Sequence, residues 1–194
     1  RNTIMTVALV AGNLVILNLW LFPLSILRVD LTSQGQFSLS GATKDLVRNL
    51  QEPLVLRAYI SDRTHPLLAP LTPNIKDLMR EYEIASGGKI KAEVVDPRDE
   101  EELEREANQV YGIRPTPFRI AERYETSVIN SYFDILIRYG DQFVTLNFND
   151  LIEIEDQGRG QPNVRLRNLE FDLTSSIKRV VSGFQSLDLV LASL

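Results

Sequence analysis

Leu54-Val55-Leu56-Arg57-Ala58-Tyr59-Ile60 is the stretch whose reading decides the fold. Pro53 stands before it and a Pro-rich loop, Ser61 to Pro73, follows. A short apolar run bounded by turn formers reads as a strand. Beyond the loop, Ile75, Leu78, Met79 and Tyr82 recur at helical spacing, which predicts a helix over Ile75–Ala85. Ser86-Gly87-Gly88 ends it. Lys89 to Val95 then alternates, with Ile90, Ala92 and Val94 on one face, and Asp96-Pro97 turns the chain.

Further along, Asp99 to Val110 reads as an acidic helix with a solvated face. Phe118 to Ala121 reads as a short strand. Tyr132–Tyr139 and Gln142–Phe148 read as two more, joined by Gly140-Asp141 in a tight hairpin. Glu153 to Asn163 is a polar loop, Leu166 to Val181 a long helix, and Leu187 to Leu191 the opening of another strand. Upstream, Ser40 is placed as the N-cap of a helix over Ala42–Leu50, with Leu46, Val47 and Leu50 on one face. Its capping box is incomplete, because Thr43 stands where Glu or Gln would reach back. The resulting order of helices and strands predicts a mixed α/β sheet.

The N-terminal region has a different character. No charge interrupts Ile4 to Leu27, with Arg1 before it and Arg28 after. At roughly 1.5 Å per residue this run makes a helix of about 36 Å, longer than a bilayer core of about 30 Å. A signal peptide would be shorter and would end in small residues, and a core helix would keep a polar face. The expectation is therefore a transmembrane anchor over 1–28, with the lipid bilayer as its surroundings. Asn13 and Asn18 within the span, and the small pair Ala8 and Gly12, form the expected helix-packing interface. Arg1 favours a cytoplasmic N-terminus. The lack of cysteine suits an extracytoplasmic domain. The expected division is thus an anchor over 1–28, an extracytoplasmic α/β domain over 29–183, and the start of a further, truncated domain over 184–194.

Without the first 28 residues the chain carries 19 Lys and Arg against 26 Asp and Glu, a net of −7. Such an acidic domain is a poor match for nucleic acid. With no cysteine, thiol–disulfide exchange is excluded. His65 is the sole histidine and reads as an ordinary loop residue. No phosphate-loop motif G-x-x-x-x-G-K-[ST] is present, and Ser38 and Ser40 read as helix-capping residues. No catalytic, cofactor-binding or metal-binding residue is expected, and the chain is read as a non-enzyme.

Two resemblances extend this reading. Tyr111-Gly112-Ile113-Arg114-Pro115-Thr116-Pro117-Phe118 resembles a stretch of thioredoxins, in which a Pro precedes a central strand. The resemblance implies a thioredoxin-like sheet and a cis peptide bond at Pro117. The redox motif is missing, since Ser61-Asp62-Arg63-Thr64-His65-Pro66 occupies its place. The second series is Asp30-Leu31-Thr32, Phe37-Ser38-Leu39-Ser40, Leu78-Met79-Arg80-Glu81-Tyr82, Ser86-Gly87-Gly88-Lys89-Ile90, Val95-Asp96-Pro97, Tyr139-Gly140-Asp141 and the helix from Leu169. In this order it resembles the GldG family, auxiliary subunits of gliding-motility-type ABC transport systems.

That resemblance implies an ABC permease and a cytoplasmic ATPase as partners, a place in the inner membrane with the soluble domain outside the cytoplasm, and no catalytic residue. The expected fold is a transmembrane helix followed by a thioredoxin-like mixed-sheet domain. The expected function is a non-catalytic auxiliary subunit of an ABC-type transporter complex. The alternative is a membrane-tethered receptor for a small ligand. Arg63, His65, Pro66 and Pro117 mark the candidate binding-edge loop, where a ligand of such a receptor is looked for first.

Overall fold

The computed structural model describes Asn13 and residues 38–121, 126–155 and 163–191. β1 (Leu54–Ile60) is the strand expected from the opening stretch. It runs parallel to β2 (Ile90–Val95), Leu54 facing Ile90 and Ala58 facing Val94. On its other side β5 (Phe133–Tyr139) runs antiparallel, Leu56 opposite Ile137, and β6 (Gln142–Leu146) pairs antiparallel with β5. The sheet order is β2-β1-β5-β6. Parallel neighbours need a crossover, supplied here by α2 (Thr72–Ala85). Ile75, Leu78, Met79 and Tyr82 are its buried residues, as their spacing predicts.

β1 is apolar in unbroken sequence, apart from Arg57, because both faces of the sheet are covered. On one face Leu54, Leu56, Ala58 and Ile60 pack with Phe133, Ile135 and Ile137 against α2 and against α5 (Leu169–Leu191). On the other, Tyr59, Tyr132 and Leu136 pack with Ile113 and with Ala107 of α3 (Glu101–Gln109). Two antiparallel ribbons flank this sheet. β3 (Thr116–Ala121) pairs with β4 (Thr126–Ser131). After the single turn α4 (Phe148–Leu151), β7 (Ile152–Glu155) pairs with β8 (Asn163–Leu166).

α1 (Gly41–Arg48) shows how a local rule is met from a distance. Ser40 is its N-cap, its hydroxyl accepting from the Thr43 N–H. The carboxylate that a capping box would place at Thr43 comes instead from Glu170 on α5. Glu170 Oε1 accepts the Ser40 N–H at 2.8 Å and the Thr43 hydroxyl at 2.9 Å. Tyr82 of α2 joins the same knot, donating to the Glu170 carbonyl at 3.0 Å. Partial burial opposes the Glu170 charge, but the bonds from Ser40 and Thr43 and the nearby Lys44 hold its carboxyl below the ordinary 4.5. A lowered folded value stabilises the fold above that pH and loses the contribution as pH falls through it. Glu170→Ala is expected to lower stability by about 1 kcal/mol at neutral pH, the usual scale for a lost cap. Urea unfolding should show the deficit shrinking in acid.

Gly140 sits in the β5–β6 turn with φ of +59°. A β-carbon there would fall 2.5 Å from the Phe184 ring of α5. Phe184 also meets Tyr139 edge-on at 5.3 Å. Glycine is therefore required twice, by backbone and by space. Gly140→Ala is expected to cost about 2 kcal/mol or more, read as a lower urea midpoint.

Several expectations need correction. No helix among the described residues is long and apolar enough to cross a membrane. The longest, α5, is interrupted by Glu170, Asp172, Lys178, Arg179 and Asp188. The fold is thus a mixed α/β domain, and the predicted transmembrane-helix-plus-domain architecture is not what the structure describes. The stretch 1–28 that prompted it, with Ala8, Gly12 and Asn18, lies outside the described residues. Of its expected interface only Asn13 is described, helical and exposed. Among the described residues no peptide bond is cis, so Pro117 is trans. It lies in the β3–β4 ribbon opposite Asn130, and the segment resembling thioredoxins does not enter the central sheet. The strand expected over Leu187–Leu191 is the end of α5. β4, β7 and β8 were not expected as strands.

Candidate functional site

The carboxyl ends of two adjacent parallel strands are where an α/β sheet commonly presents a ligand crevice. Here β1 ends in Ile60, running into Ser61 and Asp62, and β2 ends in Val94 and Val95, followed by Asp96. With Thr64 and Ala69 of the Pro-rich loop and Thr72, Pro73, Lys76 and Asp77 of α2, they line a cleft of about 410 Å³. That volume lies in the range of small-molecule sites. A second concavity, of about 440 Å³, lies between α1 and α5 and is lined by Leu46, Leu50 and Val181 among others.

The shape of the first cleft is set by hydrogen bonds at the strand ends. Asp96 is only 8% exposed. Its Oδ2 accepts the Asp62 N–H at 2.8 Å and its Oδ1 the Arg98 N–H at 3.1 Å. It thereby caps the helical turn Pro97–Asp99 and pins the chain leaving β1 to the chain leaving β2. Ser61 is buried and fixes the third strand, its N–H donating to the Tyr132 carbonyl and its hydroxyl accepting the Tyr132 N–H at 2.9 Å. Carboxylate oxygens of Asp62, Asp96 and Asp99 lie within 4.8 Å of one another. None of these three, nor Asp77, forms an ion pair among the described residues. Lys76 is the single cation among the described residues of the lining. The Thr64 hydroxyl oxygen is shielded from solvent and has no hydrogen-bond partner among the described residues.

The residues predicted for the binding edge hold the loop rather than line the cleft. His65 Nδ1 accepts the Leu67 N–H at 3.2 Å, which leaves Nε2 to donate to the Arg119 carbonyl at 3.3 Å. The Arg63 carbonyl accepts the Ser131 hydroxyl at 3.0 Å. Pro66 is exposed and Pro117 belongs to β3. The Pro-rich loop does lie against the β3 segment that follows Pro117. The His65 ring lies 6.2 Å from Phe118, Phe118 4.9 Å from Phe148, and Phe148 6.3 Å from Phe133 in the core. A file of aromatic rings thus anchors the loop to the sheet. Sequence reasoning found the loop but missed Asp62, Thr64, Lys76 and Asp96. Only Asp96-Pro97 left a signal, and it read as a turn.

The opposite face of the sheet holds an ion cluster. Arg57 bonds to Glu93, to Glu106 at 3.4 Å and to the Tyr59 hydroxyl at 3.3 Å. Burial opposes the Arg57 charge, but Tyr59 and Glu93 more than compensate and hold its guanidinium above the ordinary value. The pairs tie β1, β2 and α3 together, a structural role.

No curated protein and no solved structure is similar enough to match this chain. Residues 33–138, from ahead of α1 to within β5, match the family described as a domain of unknown function, DUF7088. That match spans more than half of the chain, which therefore belongs to the DUF7088 family.

Proposed function

We propose that this chain is a non-catalytic auxiliary subunit of an ABC-type transporter complex, with an ABC permease and its cytoplasmic ATPase as partners and its α/β domain outside the cytoplasm. The ordered resemblance to the GldG family supports this reading. The observation that carries it is where the resembling residues fall. Leu78, Met79 and Tyr82 form the buried face of α2, and Ser86 to Ile90 make the turn into β2. Asp96 and Pro97 close β2, Gly140-Asp141 turns β5 into β6, and Leu169 opens α5. A pattern made of core, cap and turn positions specifies a scaffold, which suits a component that works by binding. A tagged chain should be recovered from its native cells in mild detergent together with a permease and an ATPase carrying a phosphate-loop motif. Recovery with neither overturns the reading.

A second reading, that the domain binds a small ligand, is favoured by one observation. The cleft lies beside the Pro-rich loop, between Thr64, Ala69 and the ends of β1 and β2.

A further inference from the structure

We propose that the cleft at the carboxyl ends of β1 and β2 binds a small organic amine, its ammonium held by the Asp62 and Asp96 carboxylates and its carbon chain lying on the apolar part of the lining. The inference rests on the small-ligand reading and names its chemistry. The lining sorts into two halves. Ile60, Val94, Val95, Ala69 and Pro73 supply apolar surface, and Asp62, Asp77 and Asp96 oppose the lone Lys76. The charge of the site is therefore negative, and Asp99 adds to it at the rim.

The surroundings act in the same sense. Asp99, Glu100, Glu101 and Glu102 follow one another, all exposed, along the entry into α3. Of these only Glu101 is engaged by a cation among the described residues, Arg105 at 3.2 Å. A cleft rimmed by one sign of charge concentrates ligands of the opposite sign. The Asp96 oxygens each accept one backbone N–H, which leaves each carboxylate oxygen a lone pair for a further donor. An ammonium brings three donors and the charge the site lacks. Thr64, whose hydroxyl has no hydrogen-bond partner among the described residues, also lines the cleft. An anionic ligand would meet three carboxylates and a single cation, and a neutral one would leave the carboxylates uncompensated.

The test is titration of the isotopically labelled chain by NMR with putrescine, succinate and butanediol, probes of similar length and different charge. Putrescine is expected to shift the amide signals of Asp62, Thr64, Lys76 and Val95 saturably. Asp62→Asn should weaken its binding about tenfold, a loss on the scale of one charge-assisted hydrogen bond. The Asp62 side chain makes no hydrogen bond among the described residues, so the variant should unfold at the same urea midpoint. Succinate or butanediol binding more tightly than putrescine at the same signals overturns the amine chemistry and leaves the ligand reading standing. Putrescine binding that Asp62→Asn does not weaken overturns the assignment to these carboxylates. Silence of the cleft to all three probes overturns both.

Discussion

Phe133→Ala is expected to lower the stability of the fold by about 4 kcal/mol, the scale for a buried aromatic truncated in a packed core. Phe133 is fully buried at the start of β5, on the face covered by α2 and α5. Its ring meets Phe148, which in turn meets Phe118. Removing it opens a cavity at the root of the aromatic file that holds the β3–β4 ribbon and the Pro-rich loop. Single domains are stable by only about 5–15 kcal/mol, so a large share of the total is at stake. Urea unfolding should show a lower midpoint with an unchanged slope. Amide signals of His65 and Arg119, at the far end of the aromatic file, should move as well. A loss below about 1 kcal/mol would mean that Phe148 collapses into the gap, and the file would then be no support at all.

The next residue predicts the opposite sign. Asp134 is 6% exposed, and the one hydrogen bond to its side chain among the described residues is from the Phe133 N–H at 3.2 Å. Burial pushes its carboxyl up to about 6, the Phe133 N–H pulls it partly back, and the Asp150 charge adds to the rise. Between 3.8 and about 6 the folded state therefore holds a proton that the unfolded chain has released. Stability falls as pH rises through that window, because the unfolded state binds fewer protons there. At neutral pH the charge costs up to about 3 kcal/mol, at 1.36 kcal/mol per unit. Asp134→Asn is expected to recover most of this at neutral pH and to change little in acid, where Asp134 is already neutral. Paired urea curves in mild acid and at neutral pH give the check. An asparagine variant that is less stable at neutral pH would show that the carboxylate has partners stronger than the Phe133 amide.

These two neighbours also show what a sequence carries openly and what it does not. The central strands and α2 were legible because burial on both faces, or on one helical stripe, writes itself as an apolar run or a repeating spacing. β4 was not legible. Thr126-Ser127-Val128-Ile129-Asn130-Ser131 belongs to a ribbon whose described residues are mostly exposed, so no apolar alternation is demanded of it. β7 and β8 are four residues each, held partly by Arg165 bridging Glu153 and Glu155. Leu187 to Leu191 is apolar and short, a pattern that serves the end of a helix as well as a strand. Glu170 completing the α1 cap, 130 residues from Ser40, is invisible to any local rule. The cleft was half legible. Prolines announced the loop, but the polar groups lining the cleft come from strand ends and the first turns of α2, which only the register of β1 against β2 brings together.

The fit of Phe184 into the space above Gly140 has a mechanical meaning. An α-helix advances about 5.4 Å per turn, so axial slip of α5 would carry Phe184 away from the one place on the turn that lacks a side chain. At its other end Glu170 holds α1 through Ser40 and Thr43. The helix is thus latched at two points and behaves as a fixed strut. A force along its axis is therefore expected to reach the β5–β6 turn rather than be lost as sliding.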